Sequence, residues 1–596
     1  MIAPRIAIPG KQNSRPGRGA RLFRLLRRLA WVAGLAAFLA LSLFLYPFWG
    51  FPIRSFGQGR PPLTPPWALE CWVWEDDRNT AASTLELLED YRRLDFPVRT
   101  ILIDSPWSDR YNDFQVDTSR FPDPQGFFQD LEKKGIRVVL WMTSMVDRFS
   151  KDTRIRDSAD WYRQAGDSGF LVGPETPLRW WKGEGALLDY SNPRAREWWQ
   201  GLQKPLLEWG IDGWKLDGTC TFFSSRWAGI PLPFQSISQG WWTTRTYMDH
   251  YYREEYRFGR SVNPEFVTLA RSIDSPLPWA HPEGFAPVDA APVAWVGDNR
   301  HSWEDGDHGL QRAIRCILDS ARLGYAVIGS DIGGYHGKEP IPADLYIRWA
   351  QFSAFCGLFL NGGHGERRMS RRSPEEREII RRFSWLHTEL LPYIYTAVAE
   401  AHQGAGPFMR PVSRSSFAYY FGPELWVSPI YDSRQEWTLD LPEGNWRYLF
   451  DDRRLLEGGK PMRRTFPLAE YPVFVRDGAI LPMNISRSYS GIGEESWSGY
   501  LTLNIYPRGK SSARVVHADG SGLLEVEVSE GNPLEIRLQG SGKPHRLRIL
   551  VPSPPAAVTC DGQSLAAGKD WDYIPEQARL IITRKNPVSG NYRIRW

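Results

Sequence analysis

Short apolar runs alternate with helical patterns over residues 67–364 of this 596-residue chain, and this alternation restricts its possible folds more than any other feature. Eight runs have the length and composition of buried strands. They are 67–74, 98–104, 136–142, 186–190, 211–217, 266–272, 293–298 and 326–331. Strands that alternate with helices form parallel sheets, because a parallel connection needs a long crossover. The sequence therefore predicts an α/β fold with eight parallel strands.

A (β/α)8 TIM barrel is the simplest closed arrangement of eight such strands. Barrels of this kind take about 250 residues, and the span 67–364 allows loop insertions in addition. The alternative is an open doubly wound sheet, but no GxGxxG turn follows the first strand to support a nucleotide site. The helical patterns are at 81–94, 125–134, 193–209 and 308–323.

After about residue 405 the pattern changes to short alternating runs separated by turn residues, as in EWTLDLPEGNWRYLF. Alternation of this kind is typical of antiparallel sandwiches, so the tail is predicted to be all-β. The complete expected division is a basic cytoplasmic tail (1–28), an anchor (29–53), a linker (54–66), the barrel (67–404), a proximal β-sandwich (405–495) and a distal β-sandwich (496–596).

The amino-terminal segment has the composition of a membrane anchor. Residues 29–53 contain no charged side chain, and about 20 apolar residues suffice to span a bilayer. Residues 1–28 carry eight Arg or Lys and no acid, an asymmetry that keeps this end in the cytoplasm and leaves the remainder of the chain outside it. A cleaved signal peptide is the alternative, but its apolar stretch is normally shorter. We expect a single-pass, membrane-anchored protein with a periplasmic or extracellular catalytic domain.

Composition excludes several classes of function. Residues 29–596 hold 65 basic and 69 acidic side chains, which argues against nucleic acid as a partner. The five cysteines are widely spaced and form no CxxC pair, so we expect no metal site and no disulfide framework. We also expect no cofactor, and the sequence gives no indication of the oligomeric state.

Polar side chains end the predicted strands, where a barrel carries its catalytic groups. These ends are Asp104, Trp141, Asp189, Asp217, Arg271, Asp298 and Asp331. Asp189 lies in DYSNP, a good turn and helix cap, and we expect a structural role for it. No nucleophilic serine elbow, HExxH helix or phosphate loop is present, which favours carboxylate chemistry. Two carboxylates are the minimum for hydrolysis of a glycosidic bond, and the 28 tryptophans provide flat faces suited to sugar rings.

Several motifs resemble glycoside hydrolase family 31, the retaining α-glycosidases, over roughly residues 67–485. In the barrel they are FPVRTILIDSPW, DFQVDTSRFPDPQGFFQDLEKKGIRVVLWM, LLDYSNPRAREWW, GIDGWKLDG, WVGD and GSDIGGY. In the tail they are YYFGPELWVSPI, LPEGNWRYLFDD and YPVFVRDGAILP. The resemblance implies an α-linked oligosaccharide or glycoside as substrate.

The resemblance also implies roles for individual residues. Asp217 of WKLDG is similar to the family's nucleophile, and Asp298 of WVGD falls at its acid/base. Lys215 would keep Asp217 ionised, and Trp295 would form an apolar wall near Asp298. The other positions implied to bind substrate or line the pocket are Asp104, Trp141, Arg271, Asp331 and His364, with Asp331 supporting the site rather than reacting. From its place in RWWKGEG, we also predict that Trp181 reaches the pocket.

The sequence departs from the family in ways that affect the expected substrate. Most members carry a β-sandwich before the barrel, whereas here only the predicted linker separates the barrel from the anchor. GTC follows Asp217 in place of the MNE common in α-glucosidases, and Lys215 is typical of α-xylosidase-like and α-galactosidase-like branches. The expected specificity is therefore α-xylosidase, α-galactosidase or α-glucosidase. The alternatives are an α-transglycosylase with the same residues and a non-catalytic carbohydrate-binding protein on the same fold.

Overall fold

The computed structural model describes residues 18–49, 59–76, 78–222, 224, 226–227, 230–232, 234–275, 284–337, 340–586 and 589–596. The amino-terminal helix is Arg18–Trp49. Within it, no residue of Leu25–Ser42 is buried and the mean hydropathy is 1.5, so this helix is long and apolar enough to span a membrane. Parts of the predicted tail (1–17), anchor (50–53) and linker (54–58) lie outside the described residues.

A parallel eight-stranded sheet forms the centre of the molecule and confirms the predicted TIM barrel. Its strands are β1 (Cys71–Glu75), β2 (Thr100–Ile103), β3 (Arg137–Met142), β4 (Gly213–Leu216), β5 (Val267–Arg271), β6 (Val293–Trp295), β7 (Ile328–Gly329) and β8 (Phe359–Gly362). The hydrogen-bonded order is β7-β6-β5-β4-β3-β2-β1-β8. A parallel bridge between Asp331 and Leu360 joins the β7 and β8 ends, so the sheet closes almost completely.

Helices surround this barrel. They are Ala81–Arg93, Pro124–Lys133, Pro193–Glu208, Thr244–Val262, Leu310–Leu323, Ala343–Ser353, Pro374–Glu389 and Leu391–Gln403. Local sequence sets their ends: Thr80 and Ser83 form a capping box at the first helix, and Asn192 caps the third before a proline at its first position. Single-turn 3-10 helices are Pro66–Leu69, Gly218–Thr221, Val288–Ala290, Gly365–Arg367, Met369–Arg371, Glu495–Trp497 and Pro575–Gln577.

One predicted barrel strand is wrong, and one barrel strand was missed. Residues 186–190 overlap the strand Gly183–Leu188, which belongs to a separate antiparallel sheet inserted after β3. The eighth barrel strand is instead β8, which has only four residues, FLNG. Because two of them are Asn361 and Gly362, no apolar run marks this strand in the sequence. A short apolar run does not reveal its pairing partner, and periodicity alone cannot assign it to one sheet or another.

The inserted antiparallel sheet, called the insertion sheet below, lies between β3 and the third barrel helix. Its strands are Met145–Ser150, Leu171–Val172, Leu178–Trp180 and Gly183–Leu188, and the short helix Ala159–Asp167 lies within it. Two hairpins follow β4, with strands Arg226–Trp227, Ile230–Pro231, Phe234–Ile237 and Gly240–Thr243. The insertion sheet and the hairpins enlarge the carboxyl-end face of the barrel, where a site is expected.

The tail is all-β, as predicted. A six-stranded sheet has the order Met409–Pro411, Tyr419–Phe421, Leu425–Val427, Val473–Arg476, Asn445–Tyr448 and Asp451–Glu457, beside the pair Glu436–Leu439 and Met462–Thr465. A five-stranded sheet follows with the order Ile480–Met483, Leu501–Ile505, His545–Leu550, Arg579–Arg584 and Trp571–Ile574. A second six-stranded sheet has the order Lys510–Val516, Leu523–Ser529, Leu534–Gly540, Gly590–Arg595, Ala557–Cys560 and Gln563–Ser564.

The last two sheets pack through alternating apolar residues, such as Val526, Ile536 and Leu547, into one core. The strand Ile480–Met483 pairs with Leu501–Ile505 in this distal part, ahead of the expected boundary at 495/496. The division into six segments stays a prediction.

Candidate active site

The carboxyl ends of the barrel strands bring most of the predicted site residues to one face. Trp141, Lys215, Arg271 and Trp295 lie within β3, β4, β5 and β6. Asp104, Asp217, Asp298, Asp331 and His364 follow β2, β4, β6, β7 and β8 within three residues. Contacts among the ionisable groups of this face define a strand-end network: Asp104, Lys215, Asp217, Arg271, Asp274, Asp298 and Asp331.

Asp217 is a buried carboxylate surrounded by donors. Trp141 Nε1 donates to its Oδ2 at 3.1 Å, and Gly218 N donates to its Oδ1 at 2.7 Å. Arg271 Nε donates to the same Oδ1 at 2.8 Å. Burial alone would raise the pKa of Asp217, but Arg271, Lys215 and these hydrogen bonds outweigh it, so the pKa lies below the ordinary value of 3.8. The side chain is therefore an anion at neutral pH.

Arg271 connects Asp217 to Asp298 through a single guanidinium group. Its Nη2 lies 3.3 Å from Asp298 Oδ1, and Nη1 pairs with Asp274. Gly297, with φ at +79°, lies against this group, and a Cβ there would be 2.7 Å from Arg271 Nη1. The two predicted catalytic carboxyls therefore lie on the same guanidinium group, a planar fork that binds both.

The two carboxyls differ in exposure. The side chain of Asp217 is 11% exposed and that of Asp298 is 36% exposed. Asp298 is the more accessible to solvent and to a departing group.

Lys215 is the second buried cation of the network. Its Nζ donates to Asp104 Oδ2 at 2.7 Å, while Ser105 N donates to Asp104 Oδ1 at 2.8 Å. Burial lowers the pKa of Lys215, but Asp104, Asp331 and Asp217 together raise it above its ordinary value, so the ammonium keeps its proton. Burial raises the pKa of Asp104, and Lys215 opposes that rise.

Asp331 lies beside the same lysine at the closing edge of the barrel. Burial raises the pKa of Asp331 to about 6, with Lys215 lowering it and Asp298 raising it. Its interactions with Lys215 and Asp298 are electrostatic, and the supporting role expected for it stays a prediction.

Trp295 forms an aromatic surface under both cations. Lys215 Nζ lies 5.3 Å and Arg271 Cζ 5.0 Å from the centroid of its buried ring, within the range of cation–π contacts. Trp295 thus stabilises the cations of the network, and the apolar wall expected near Asp298 stays a prediction.

A second group of aromatics, called the indole wall below, consists of Trp141, Trp180 and Trp181. Trp180 stacks on Trp141 with a centroid distance of 6.2 Å and an interplanar angle of 5°. Trp181 contacts Trp180 edge-on and also Phe222, in the loop after Asp217. Because 44% of Trp181 is exposed, it lies at the solvent side of the wall.

His364 lies at the rim between β8 and β1. Its ring contacts Trp74 edge-on at 4.6 Å, and its Nε2 is 3.4 Å from Arg367 Nη1. It borders a cavity of about 580 Å³ together with Glu75 and Gly363. These neighbours belong to the rim rather than to the network, and the part of His364 in sugar binding stays a prediction.

Sequence reasoning missed three residues that shape this face. Asp274 anchors Arg271, Phe285 lies under the same guanidinium at 5.9 Å, and Trp180 supports Trp141. Asp274 follows Arg271 by three residues, but nothing in RSID distinguishes it from a loop aspartate. Asp189, expected to be structural, accepts hydrogen bonds from Ser191 N and Ser238 N. The described residues contain no cluster of three or more His, Cys, Asp or Glu able to hold a metal ion.

Comparison with known proteins gives the chain a family. The model of the Glycosyl hydrolases family 31 TIM-barrel domain matches residues 61–397, and that of the Glycosyl hydrolase family 31 C-terminal domain matches residues 408–481.

Similar curated proteins include an alpha-xylosidase of Emericella nidulans, 26% identical over 72% of this chain and 54% of that protein. An isomaltosyltransferase of Sporosarcina globispora is 26% identical over 76% of this chain and 44% of that protein. The chain thus spans about half the length of these curated relatives.

Among solved structures, a GH31 dextranase of Flavobacterium johnsoniae complexed with glucose superposes with a TM-score of 0.76 at 19% identity. The superposition covers 90% of this chain and 72% of that one, and it shows a shared fold. The TIM-barrel match alone spans more than half of the residues, with the strand-end network inside it, and this chain belongs to glycosyl hydrolase family 31.

Proposed function

We propose that the protein is a retaining α-glycosidase that cleaves O-glycosidic bonds by double displacement. One observation carries the proposal: Asp217 and Asp298, 81 positions apart in the chain, bind the same guanidinium of Arg271. Retaining glycosidases need two carboxyls on opposite sides of one anomeric carbon, one of them ionised for attack. The lowered pKa of Asp217 and the greater exposure of Asp298 support this division of roles.

In the first step, a carboxylate oxygen of Asp217 attacks the anomeric carbon while Asp298 donates its proton to the glycosidic oxygen. The bond between that carbon and oxygen breaks, and a covalent glycosyl ester with Asp217 forms. In the second step, Asp298 accepts a proton from water, the water oxygen attacks the anomeric carbon, and Asp217 leaves as a carboxylate. Trp141, Gly218 and Arg271 stabilise that anion through their hydrogen bonds.

The remaining polar residues of the network bind and orient the sugar in this proposal. Asp104, paired with Lys215, accepts hydrogen bonds from sugar hydroxyls, and His364 supplies a further polar contact at the rim. Trp295 and the indole wall provide the flat faces. The expected substrates are α-xylosides, α-galactosides or α-glucosides.

The experiment uses two variants, an external nucleophile and a matched control. With aryl α-glycosides, Asp217→Ala is expected to lower kcat by on the order of 10⁴-fold or more. Azide should then yield the β-glycosyl azide from Asp217→Ala and the α-glycosyl azide from Asp298→Ala, because each variant lacks a different partner. Asp307→Ala, at an exposed loop aspartate, should keep wild-type activity. Undiminished turnover in Asp217→Ala contradicts the proposal.

A transglycosylase is the second candidate, favoured by the similarity to an isomaltosyltransferase. It would use the same residues, with a sugar hydroxyl in place of water in the second step. Product analysis with and without added oligosaccharide separates the two reactions. A carbohydrate-binding protein without activity would bind glycans yet release no aryl group from any glycoside in the panel.

We further propose that the amino-terminal helix anchors the chain as a single span, with the barrel outside the cytoplasm. The uncharged stretch 29–53 and the eight preceding basic residues support this topology. In sealed right-side-out vesicles, protease should digest the barrel of the full chain and spare the amino-terminal tail. Protection of the barrel would contradict the topology.

A further inference from the structure

The insertion sheet holds a buried carboxyl directly behind the indole wall. Asp147 is fully buried, and its Oδ1 accepts a hydrogen bond of 2.8 Å from Trp180 Nε1. Ser150 Oγ lies 3.2 Å from the other oxygen, Oδ2. A carboxyl is costly to bury, so its place here, bound to one indole, calls for a specific reason.

Two glycines make room for this carboxyl. Gly185 lies opposite Asp147 in the insertion sheet, and Gly183 lies opposite Trp180. A Cβ at Gly185 would clash with Val146 O and lie 2.9 Å from Asp147 Oδ1. One at Gly183 would clash with Phe149 O and lie 2.7 Å from Asp147 Oδ2, so the glycines admit both the neighbouring backbone and the carboxyl. Residues two apart on a strand share a face, so Gly183 and Gly185 leave the same face of their strand free of side chains. The Trp180 indole crosses this face to reach the Asp147 carboxyl.

Trp180 links Asp147 to the nucleophile through Trp141. Its ring is parallel to that of Trp141, and Trp141 Nε1 donates to Asp217 Oδ2 at 3.1 Å. Tyr111 packs edge-on against both indoles, at 5.6 Å from Trp141 and 5.2 Å from Trp180. A continuous set of contacts therefore runs from Asp147 through two stacked rings to Asp217.

We propose that Asp147 is a positioning residue: it fixes Trp180, and through the stacked indoles it holds the Trp141 N–H on the Asp217 carboxylate. This inference rests on the proposed function of Asp217. It goes beyond that function because it assigns a role in the reaction to the insertion sheet, none of whose described residues bonds to the reacting carboxyls.

The protonation of Asp147 suits this role. Burial raises its pKa well above the ordinary value, although the hydrogen bonds from Trp180 and Ser150 oppose the rise. A neutral carboxyl accepts the indole hydrogen bond without placing a second negative charge behind the nucleophile.

The first test compares Asp147→Asn with Asp147→Leu in the full chain. Asparagine keeps the shape, the neutral charge and an acceptor oxygen, so kcat on the aryl α-glycoside that the wild type cleaves fastest should stay within about threefold. Leucine removes the acceptor and should lower kcat roughly ten- to a hundredfold with little change in KM, because displacement of a catalytic group mainly affects the chemical step. Equal activity of the two variants overturns the inference.

Circular dichroism gives a readout independent of turnover. Two indoles at a centroid distance of 6.2 Å couple electronically, and the resulting exciton couplet depends on the angle between their in-plane transition moments. In difference spectra the couplet of the wild type should therefore persist in Asp147→Asn and change in Asp147→Leu. An unchanged couplet in folded Asp147→Leu also overturns the inference. If the wild type cleaves no glycoside, the proposed function fails, while the couplet still decides whether Asp147 orders the stack.

A double-mutant cycle tests whether Asp147 affects kcat through Trp141. Trp141→Phe deletes the N–H that reaches Asp217, so adding Asp147→Leu to it should cost less than about threefold further in kcat. Fully additive losses would mean that Asp147 acts elsewhere, and they contradict the proposal. If Asp147→Leu does not fold, Trp180→Phe replaces it in the kcat comparison and in the double-mutant cycle. That variant keeps a ring in the stack and removes the donor to Asp147, and wild-type kcat in it overturns the inference.

Discussion

The strand-end network and the indole wall meet at Asp217, yet they are built in different ways. The network consists of charged groups that lie in the barrel strands or just after them, and it controls the ionisation of Asp217 through Arg271 and Lys215. The wall consists of stacked rings, two of them carried by a separate sheet, and it reaches Asp217 through one indole N–H. Electrostatics thus sets the charge of the nucleophile, while packing in the insertion sheet sets the direction of a hydrogen bond to it.

This difference predicts unequal responses to substitution. A buried charge that loses its partner is left uncompensated in a medium of low polarity, which costs several kcal/mol. A ring at the exposed end of a stack contributes contact area and little else, and its loss costs about 1 kcal/mol. Three predictions, in order of decreasing effect, test whether the two regions behave in this way.

The largest effect is expected from Arg271→Lys. Lysine keeps the charge but lacks the planar fork, so it cannot bind Asp217, Asp298 and Asp274 together. We expect kcat/KM for aryl α-glycosides to fall by roughly 10³-fold, with the acid limb of the pH profile displaced upward as the pKa of Asp217 rises. Arg312→Lys, at an ion pair with Asp305 outside the network, is the matched control. A fall of less than threefold in kcat/KM for Arg271→Lys would contradict a role of the network in the mechanism.

An intermediate effect, on stability, is expected from Asp331→Asn. The folded-state pKa of Asp331 is about 6, above the ordinary 3.8, so its proton is bound more tightly in the folded chain. Folding stability from this group is fully present below about pH 4 and is lost as pH rises through 6, by about 3 kcal/mol. Asparagine does not titrate, so the free energy of unfolding of the variant should rise relative to that of the wild type by that amount between pH 4 and 7. Denaturant unfolding monitored by tryptophan fluorescence measures this difference in unfolding free energy. A difference that does not change between pH 4 and 7 contradicts the prediction.

The smallest effect is expected from Trp181→Ala. Its ring is the exposed member of the indole wall and contacts Trp180 edge-on. Loss of one sugar-stacking face should raise KM for an oligosaccharide three- to tenfold, roughly 1 kcal/mol, and leave kcat near its wild-type value. Trp596→Ala, at an exposed tryptophan at the end of the β tail, is a suitable control. A large loss of kcat in Trp181→Ala would mean that the outer wall also positions the nucleophile.

Much of the fold could be predicted from the sequence, because strands of a parallel barrel are buried on both faces and read as apolar runs. Seven of the eight barrel strands were found in this way, and their carboxyl ends indicated Asp104, Asp217, Asp298 and Asp331. The strand at 183–188 was misassigned because its apolar residues pack in the insertion sheet rather than in the barrel. β8 was missed because its four residues include Asn361 and Gly362.

The sequence by itself determined which side chains end the barrel strands, since local hydrophobic patterning sets where each strand stops and which polar group follows. It also indicated the charge-free amino-terminal stretch and the all-β tail. Only the tertiary structure decided that Arg271 binds Asp217 and Asp298 together, that Trp180 stacks on Trp141, and that Asp147 stands behind them. Those contacts join strands that are distant in the chain, and their geometry depends on barrel closure and sheet register, which no local pattern encodes.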